Sequence, residues 1–137
     1  MNKIKYDSDL MKLMILFESM TGAKVKDCIV NEKLIFIVEE NEMGKAIGKN
    51  GANIKRVENS LKRRIKVTEF SSDAVQFVRN LIYPIDVAEV VQENSIIVLH
   101  GKDTNTKAML IGRDRQNINN LKSIVQRYFD IKEIKII

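Results

Sequence analysis

Residues 44–51 read Gly44-Lys45-Ala46-Ile47-Gly48-Lys49-Asn50-Gly51, glycines and lysines interleaved in a way that invites phosphate chemistry. A nucleotide-hydrolysing P-loop needs four residues between its first glycine and the Gly-Lys-Ser/Thr that follows. Here three intervene, and Asn50 brings no hydroxyl for Mg²⁺. A dinucleotide fingerprint fails as well, because the chain contains no Gly-x-Gly. What remains is Gly48-Lys49-Asn50-Gly51 at a turn between two helical segments. Glycines there remove the Cβ atoms that hold off a sugar-phosphate backbone, and amides opening the next helix face phosphate oxygens with a favourable dipole. Lys45, Lys49, Lys55 and Arg56 add mobile positive charge beside them. The chemistry is that of a backbone clamp; for the four residues alone, a plain helix-turn-helix connection is the simpler reading.

The segment occurs twice. At an offset of 64 residues, Ile47-Gly48-Lys49-Asn50-Gly51-Ala52-Asn53-Ile54 lies over Ile111-Gly112-Arg113-Asp114-Arg115-Gln116-Asn117-Ile118, and Val57, Leu61 and Arg63 lie over Leu121, Val125 and Arg127. Charge follows the repeat. Residues 43–66 carry eight basic side chains against Glu58, a net +7, and residues 107–127 carry five against Asp114, a net +4. With those segments set aside from the overall +5, the rest of the chain is net −6. An acidic body thus bears two basic segments, the arrangement expected of a protein with a polyanionic partner.

The elements that position these segments repeat too. Asp7-Ser8-Asp9 offers helix caps before an apolar stripe at Leu10, Leu13, Met14, Phe17 and Met20 that stops near Gly22. Ser71-Ser72-Asp73 offers the same before Ala74, Phe77, Val78 and Leu81, with Pro84 ending the helix. Strand-like runs follow at 23–30 and 33–39 in the first half, and at 85–91 and 95–100 in the second, the latter two separated by Gln92-Glu93-Asn94. Each half closes with a short helix, the glycine segment, a longer helix and a final strand at 65–70 or 131–137. The reading is α/β (α+β), two units of order α-β-β-α-α-β at 1–70 and 71–137, each near the lower size limit for a domain. No Gly-, Pro- or Ser-rich linker stands near Phe70 and Ser71, so the halves are expected to pack rigidly.

The glycine segment, the element order and the duplication together make each half resemble a KH domain of the prokaryotic type II topology, whose clamp holds about four nucleotides. The resemblance implies a three-stranded mixed sheet covered by helices on one face, and an aliphatic base groove floored by Ile47 and Ile54, for which core packing is the plainer role. Two such units in tandem, the GKAIGKNGANIK segment and the ending RYFDIKEIKI look like the archaeal NusA family of transcription elongation and termination factors. That implies binding of single-stranded RNA near RNA polymerase, by a monomer without cofactors. The candidate contacts are Lys45, Ile47, Gly48, Lys49, Asn50, Gly51, Ile54, Lys55 and Arg56 in the first unit, with Gly112, Arg113, Arg115, Gln116 and Asn117 in the second. The second unit departs from the pattern: Arg115 replaces the second clamp glycine, where a side chain is expected to obstruct a backbone, and Asp114 puts negative charge at the tip. A weakened second clamp is the expectation.

Other classes find little support. The longest apolar runs, 13–17 and 34–38, are five residues, far short of the roughly 18 that span a bilayer. The start has no secretory signal core, and one Cys with one His builds neither a disulfide nor a tetrahedral zinc site, which points to the cytoplasm. His100 reads as a strand-end surface residue and Cys28 as a small core residue, so no enzyme is expected. None of the eight aromatics falls in a glycine segment, which argues against a base-stacking platform. Glu39, Glu40 and Glu42 read as a solvated turn bounding one edge of the RNA path. Two alternatives remain at this stage: an adaptor docking on RNA polymerase or a ribosomal assembly, and a binder of single-stranded DNA.

Overall fold

A computed structural model describes residues 8–137, so the capping role read for Asp7 and the position of Tyr6 lie outside the described residues. The chain forms two compact units that meet in sequence at Ser71 and Ser72. In the first, α1 (Ser8–Thr21) leads to β1 (Val25–Val30), β2 (Leu34–Val38), α2 (Met43–Ile47), α3 (Ala52–Leu61) and β3 (Ile65–Glu69). In the second, α4 (Ala74–Ile82) leads to β4 (Glu89–Glu93), β5 (Ile96–His100), α5 (Thr104–Ile111), α6 (Gln116–Gln126) and β6 (Glu133–Ile136).

Each unit holds one mixed sheet with the central strand antiparallel to one neighbour and parallel to the other, in the orders β1-β2-β3 and β4-β5-β6. The helices form where the sequence predicts them. The α1 stripe sets Phe17 in the core, stacked on Phe36 with ring centroids 4.4 Å apart, and Leu10, Leu13, Met14 and Met20 pack around it. Gly22 ends the helix at φ +77° and donates its N–H to the Glu18 carbonyl. Asp73 caps α4 by accepting from the Val75 N–H, and Phe77 anchors the second core against Tyr128 and Phe129.

One expectation needs correction. The first strand of the second unit begins at Glu89 rather than residue 85, and Gln92 and Glu93 belong to it; the turn is Asn94-Ser95, with Asn94 left-handed at φ +55°. Apolar content at Ile85 and Val87 mimics a strand, but a ladder needs a partner, and the register runs only from Glu89 opposite His100 to Glu93 opposite Ile96. Helices α1, α2 and α3 cover the face of Cys28, Leu34, Phe36 and Val38, yet Ile35 and Ile37 on the opposite face of β2 are 8% and 0% exposed. Asp27 and Thr68, in the row of Ile37, are buried as well.

Candidate nucleic-acid interface

In the first unit α2 ends at Ile47, a single 3₁₀ turn spans Lys49–Gly51, and α3 begins at Ala52. Gly48 sits at φ +73°, ψ 175°, a region that is essentially glycine-only. A Cβ on Gly48 would lie 2.7 Å from Cγ of Asn53. The Asn53 side chain reaches back to donate its amide to the Lys45 carbonyl at 2.7 Å, buckling the start of α3 to α2. The first clamp glycine therefore makes room for a neighbouring side chain, beyond any room it makes for a ligand. Asn53 was not among the site residues read from the sequence; its recurrence as Asn117 at the 64-residue offset is the signal that identifies it.

At the tip, Asn50 and Gly51 are both left-handed, at φ +56° and +74°, and Gly51 donates to the Gly48 carbonyl. Lys49 and Asn50 are exposed, as are Lys55 and Arg56 on the first turns of α3. No side chain caps α3; the Ala52 N–H donates to the Lys49 carbonyl, and the helix N-terminus carries partial positive charge toward the loop. Ile47 and Ile54 are half-buried beside the loop, each keeping some surface toward solvent.

Two members of this neighbourhood hold structural contacts. Glu42 is more than a solvated turn residue: it accepts from the Lys24 N–H at 2.9 Å and pairs with Lys45 at 3.4 Å. The Lys24 hydrogen bond, helped by Lys45, holds its carboxyl below the usual range. Arg56 extends a long hydrogen bond to the Met20 carbonyl, at 3.4 Å.

The second loop repeats this backbone. Gly112 lies at φ +75°, ψ 173°, Asp114 at φ +55° and Arg115 at φ +61°. A Cβ on Gly112 would meet Asn117 Cγ at 2.6 Å, and Asn117 donates to the Met109 carbonyl at 2.8 Å. Arg113, Arg115 and Gln116 are exposed, whereas Ile118, the counterpart of Ile54, is 4% exposed and belongs to the core.

The basic run at 43–66, a single segment in sequence, divides in space. Lys45, Lys49, Lys55 and Arg56 flank the loop, whereas Lys62, Arg63, Arg64 and Lys66 follow the other end of α3. Ten residues at 1.5 Å each put the loop and the far end of α3 about 15 Å apart, with Lys55 and Arg56 on the helix between them. At that far end Leu34 pairs with Ile65, which brings Lys33 beside them, and burial above all, then the positive charge of Lys33, lowers the Lys66 ammonium pKa.

Elsewhere, Cys28 is 1% exposed, and burial above all, then the Asp27 charge, pushes its thiol up to about 11. Among the described residues no three His, Cys, Asp or Glu side chains gather as metal ligands, and no helix is long and apolar enough to cross a membrane.

Comparison with known proteins bears on the same segments. The family described as "KH domain" matches residues 14–72. The "Probable transcription termination protein NusA" of Methanococcus vannielii is 32% identical, over 98% of this chain and 80% of its own length. The protein of the same description from Halococcus morrhuae is 31% identical, covering 98% of this chain and 99% of that one. Among solved structures, the crystal structure of APE1850 aligns at 29% identity with a TM-score of 0.74, over 96% of this chain and all of that one.

Proposed function

Because the chain belongs to the archaeal NusA family of transcription termination proteins, we propose that it binds single-stranded RNA, with the Gly48–Gly51 loop gripping the backbone. Residues 1–70 and 71–137 act as tandem type II KH domains, the first contributing most of the affinity. The observation that carries this reading is the first loop itself. Its left-handed turn is held by the protein's own hydrogen bonds, its tip presents Lys49 and Asn50 to solvent, and it opens an uncapped helix. Such a site needs no rearrangement to meet a phosphate, and a helix N-terminus without a side-chain cap favours an anion through its partial positive charge. Lys45, Lys55 and Arg56 add charge along the same strand of RNA, and the half-exposed Ile47 and Ile54 offer bases an aliphatic surface.

In the second unit Arg113, Arg115 and Gln116 face solvent around an equivalent turn, but Asp114 stands where Asn50 stands in the first. Negative charge at the tip opposes a phosphate, so this loop acts as the weaker, side-chain-based contact. On this reading the protein acts near RNA polymerase in the cytoplasm, as a monomer with no catalytic step.

The test is a titration of an unstructured RNA against the whole chain and K49D/N50D. The double variant should bind at least about tenfold more weakly, about 1.4 kcal/mol, with its unfolding transition unchanged, since both side chains are exposed. Unchanged affinity would overturn the clamp reading. An adaptor would give no saturable binding at physiological salt, and competition between matched RNA and DNA oligomers separates RNA from single-stranded DNA as the partner.

A further inference from the structure

Lys33, Lys62, Arg63 and Arg64, at the far end of α3, are not needed by the clamp. Lys33, Lys62, Arg63 and Arg64 are all exposed, and among the described residues none of the four forms an ion pair. Of the carboxylates in the adjoining turns, Glu58 is committed to the Ile65 N–H at 3.0 Å, and Glu32 stands in the β1–β2 turn. Lys66 stands beside these cations with its pKa lowered, by burial first and by the charge of Lys33 second.

Helix C-termini favour cations, which offers a simple account of Lys62 and Arg63. The second unit tests that account. At the same end of α6, Gln126 stands where Lys62 does and Tyr128 where Arg64 does, and only Arg127 keeps a cation, in the place of Arg63. The duplicated helix end closes with one cation where the first unit has three. Lys33, moreover, sits in the β1–β2 turn, on no helix, and reaches the group only because β2 and β3 are parallel and in register from Leu34 and Ile65.

We propose that Lys33, Lys62, Arg63 and Arg64, backed by Lys66, form a second phosphate-binding site in the first unit, which takes the backbone of the same RNA strand beyond the clamp. The proposal rests on the RNA-binding reading above. The separation of about 15 Å along α3 corresponds to about four nucleotides at the roughly 3.4 Å rise of a stacked strand. A strand of about four nucleotides fills the clamp, and one of eight or more reaches both sites.

The experiment compares a labelled RNA tetramer and dodecamer of unstructured sequence on the full chain, R63E/R64E, R63Q/R64Q and K49D/N50D. The charge-reversed variant should lose at least about tenfold on the dodecamer and stay within about twofold of wild type on the tetramer. The Gln variant, which leaves no new charge, should flatten the dodecamer's salt dependence by about 1.4 in log–log slope, two contacts at roughly 0.7 each. K49D/N50D should weaken both oligomers. Thermal unfolding of each variant should match wild type, because the replaced side chains are exposed. An unchanged dodecamer affinity in R63E/R64E overturns the proposal while leaving the clamp intact, and so does an equal loss on both oligomers. If instead K49D/N50D changes neither affinity, the clamp reading fails, and a dodecamer-specific loss in R63E/R64E still supports the far-end site.

Discussion

Gly48–Gly51 and Gly112–Arg115 follow the same path with different side chains on it. The first glycines differ by 2° in φ and ψ, at (73°, 175°) and (75°, 173°), and the tip residues Asn50 and Asp114 by 1°. In both, an asparagine five residues after the first glycine ties the loop back to the preceding helix. Arg115 adopts the left-handed conformation of Gly51 at φ +61°, and a Cβ placed on Gly51 meets nothing within 4 Å. The loss of the second glycine therefore costs the loop modest backbone strain and leaves its shape intact. What changes is what a ligand meets: two guanidinium groups around a carboxylate in place of a lysine, an amide and bare backbone. Shape was retained through the duplication while the chemistry of the tip diverged.

The two glycines of a Gly-x-x-Gly pattern thus have separate roles, and substitutions can separate them. The largest effect is expected at the first. Gly48→Ala or Gly112→Ala forces a glycine-only conformation and drives a Cβ into the asparagine, and each should destabilise its unit by roughly 2–3 kcal/mol in denaturant unfolding. A much smaller loss in either would break the equivalence of the two loops.

Next is an exchange of tips. D114N/R115G in the second loop should raise RNA affinity about three- to tenfold, and Gly51→Arg in the first should lower it by a similar factor, each with only a small change in stability. A gain on placing Arg at residue 51 would show instead that the guanidinium is the better phosphate contact. Smaller still, Asn53→Ala and Asn117→Ala each remove one hydrogen bond and should cost about 1 kcal/mol, the two losses matching within error in thermal unfolding.

The last asymmetry is the thiol, present only in the first unit. Its pKa is about 11 in the folded protein against 9.0 unperturbed, so the folded state favours the neutral form. The stability it contributes is complete below about pH 9 and declines from there as pH rises through about 11. Replacing Cys28 by Val or Ala should remove that part of the alkaline decline, measured as unfolding midpoint against pH.

Much of this was legible in the residues. The 64-residue offset, the apolar stripe of α1, the α-β-β-α-α-β order and the turn at Gly48 follow from local rules of periodicity, capping and glycine placement, which act within a few positions along the chain. The misreadings have a common cause. Residues 85–87 have strand-like composition but no partner strand, and pairing is decided by distant residues. Glu42 reads as a solvated carboxylate until β1 is seen to bring the Lys24 N–H to it.

Sequence alone determined that this chain is a duplication with a basic glycine turn in each copy, because spacing along a chain is itself one-dimensional information. Only the tertiary structure decided that the +7 segment spreads from the loop to the far end of α3, since a helix carries its ends apart by 1.5 Å per residue. It likewise decided that the first clamp glycine serves Asn53, and that Ile118 is core while Ile54 keeps a solvent-facing side. Burial and close approach depend on which distant atoms arrive at a point, and no count of residues along the chain contains that.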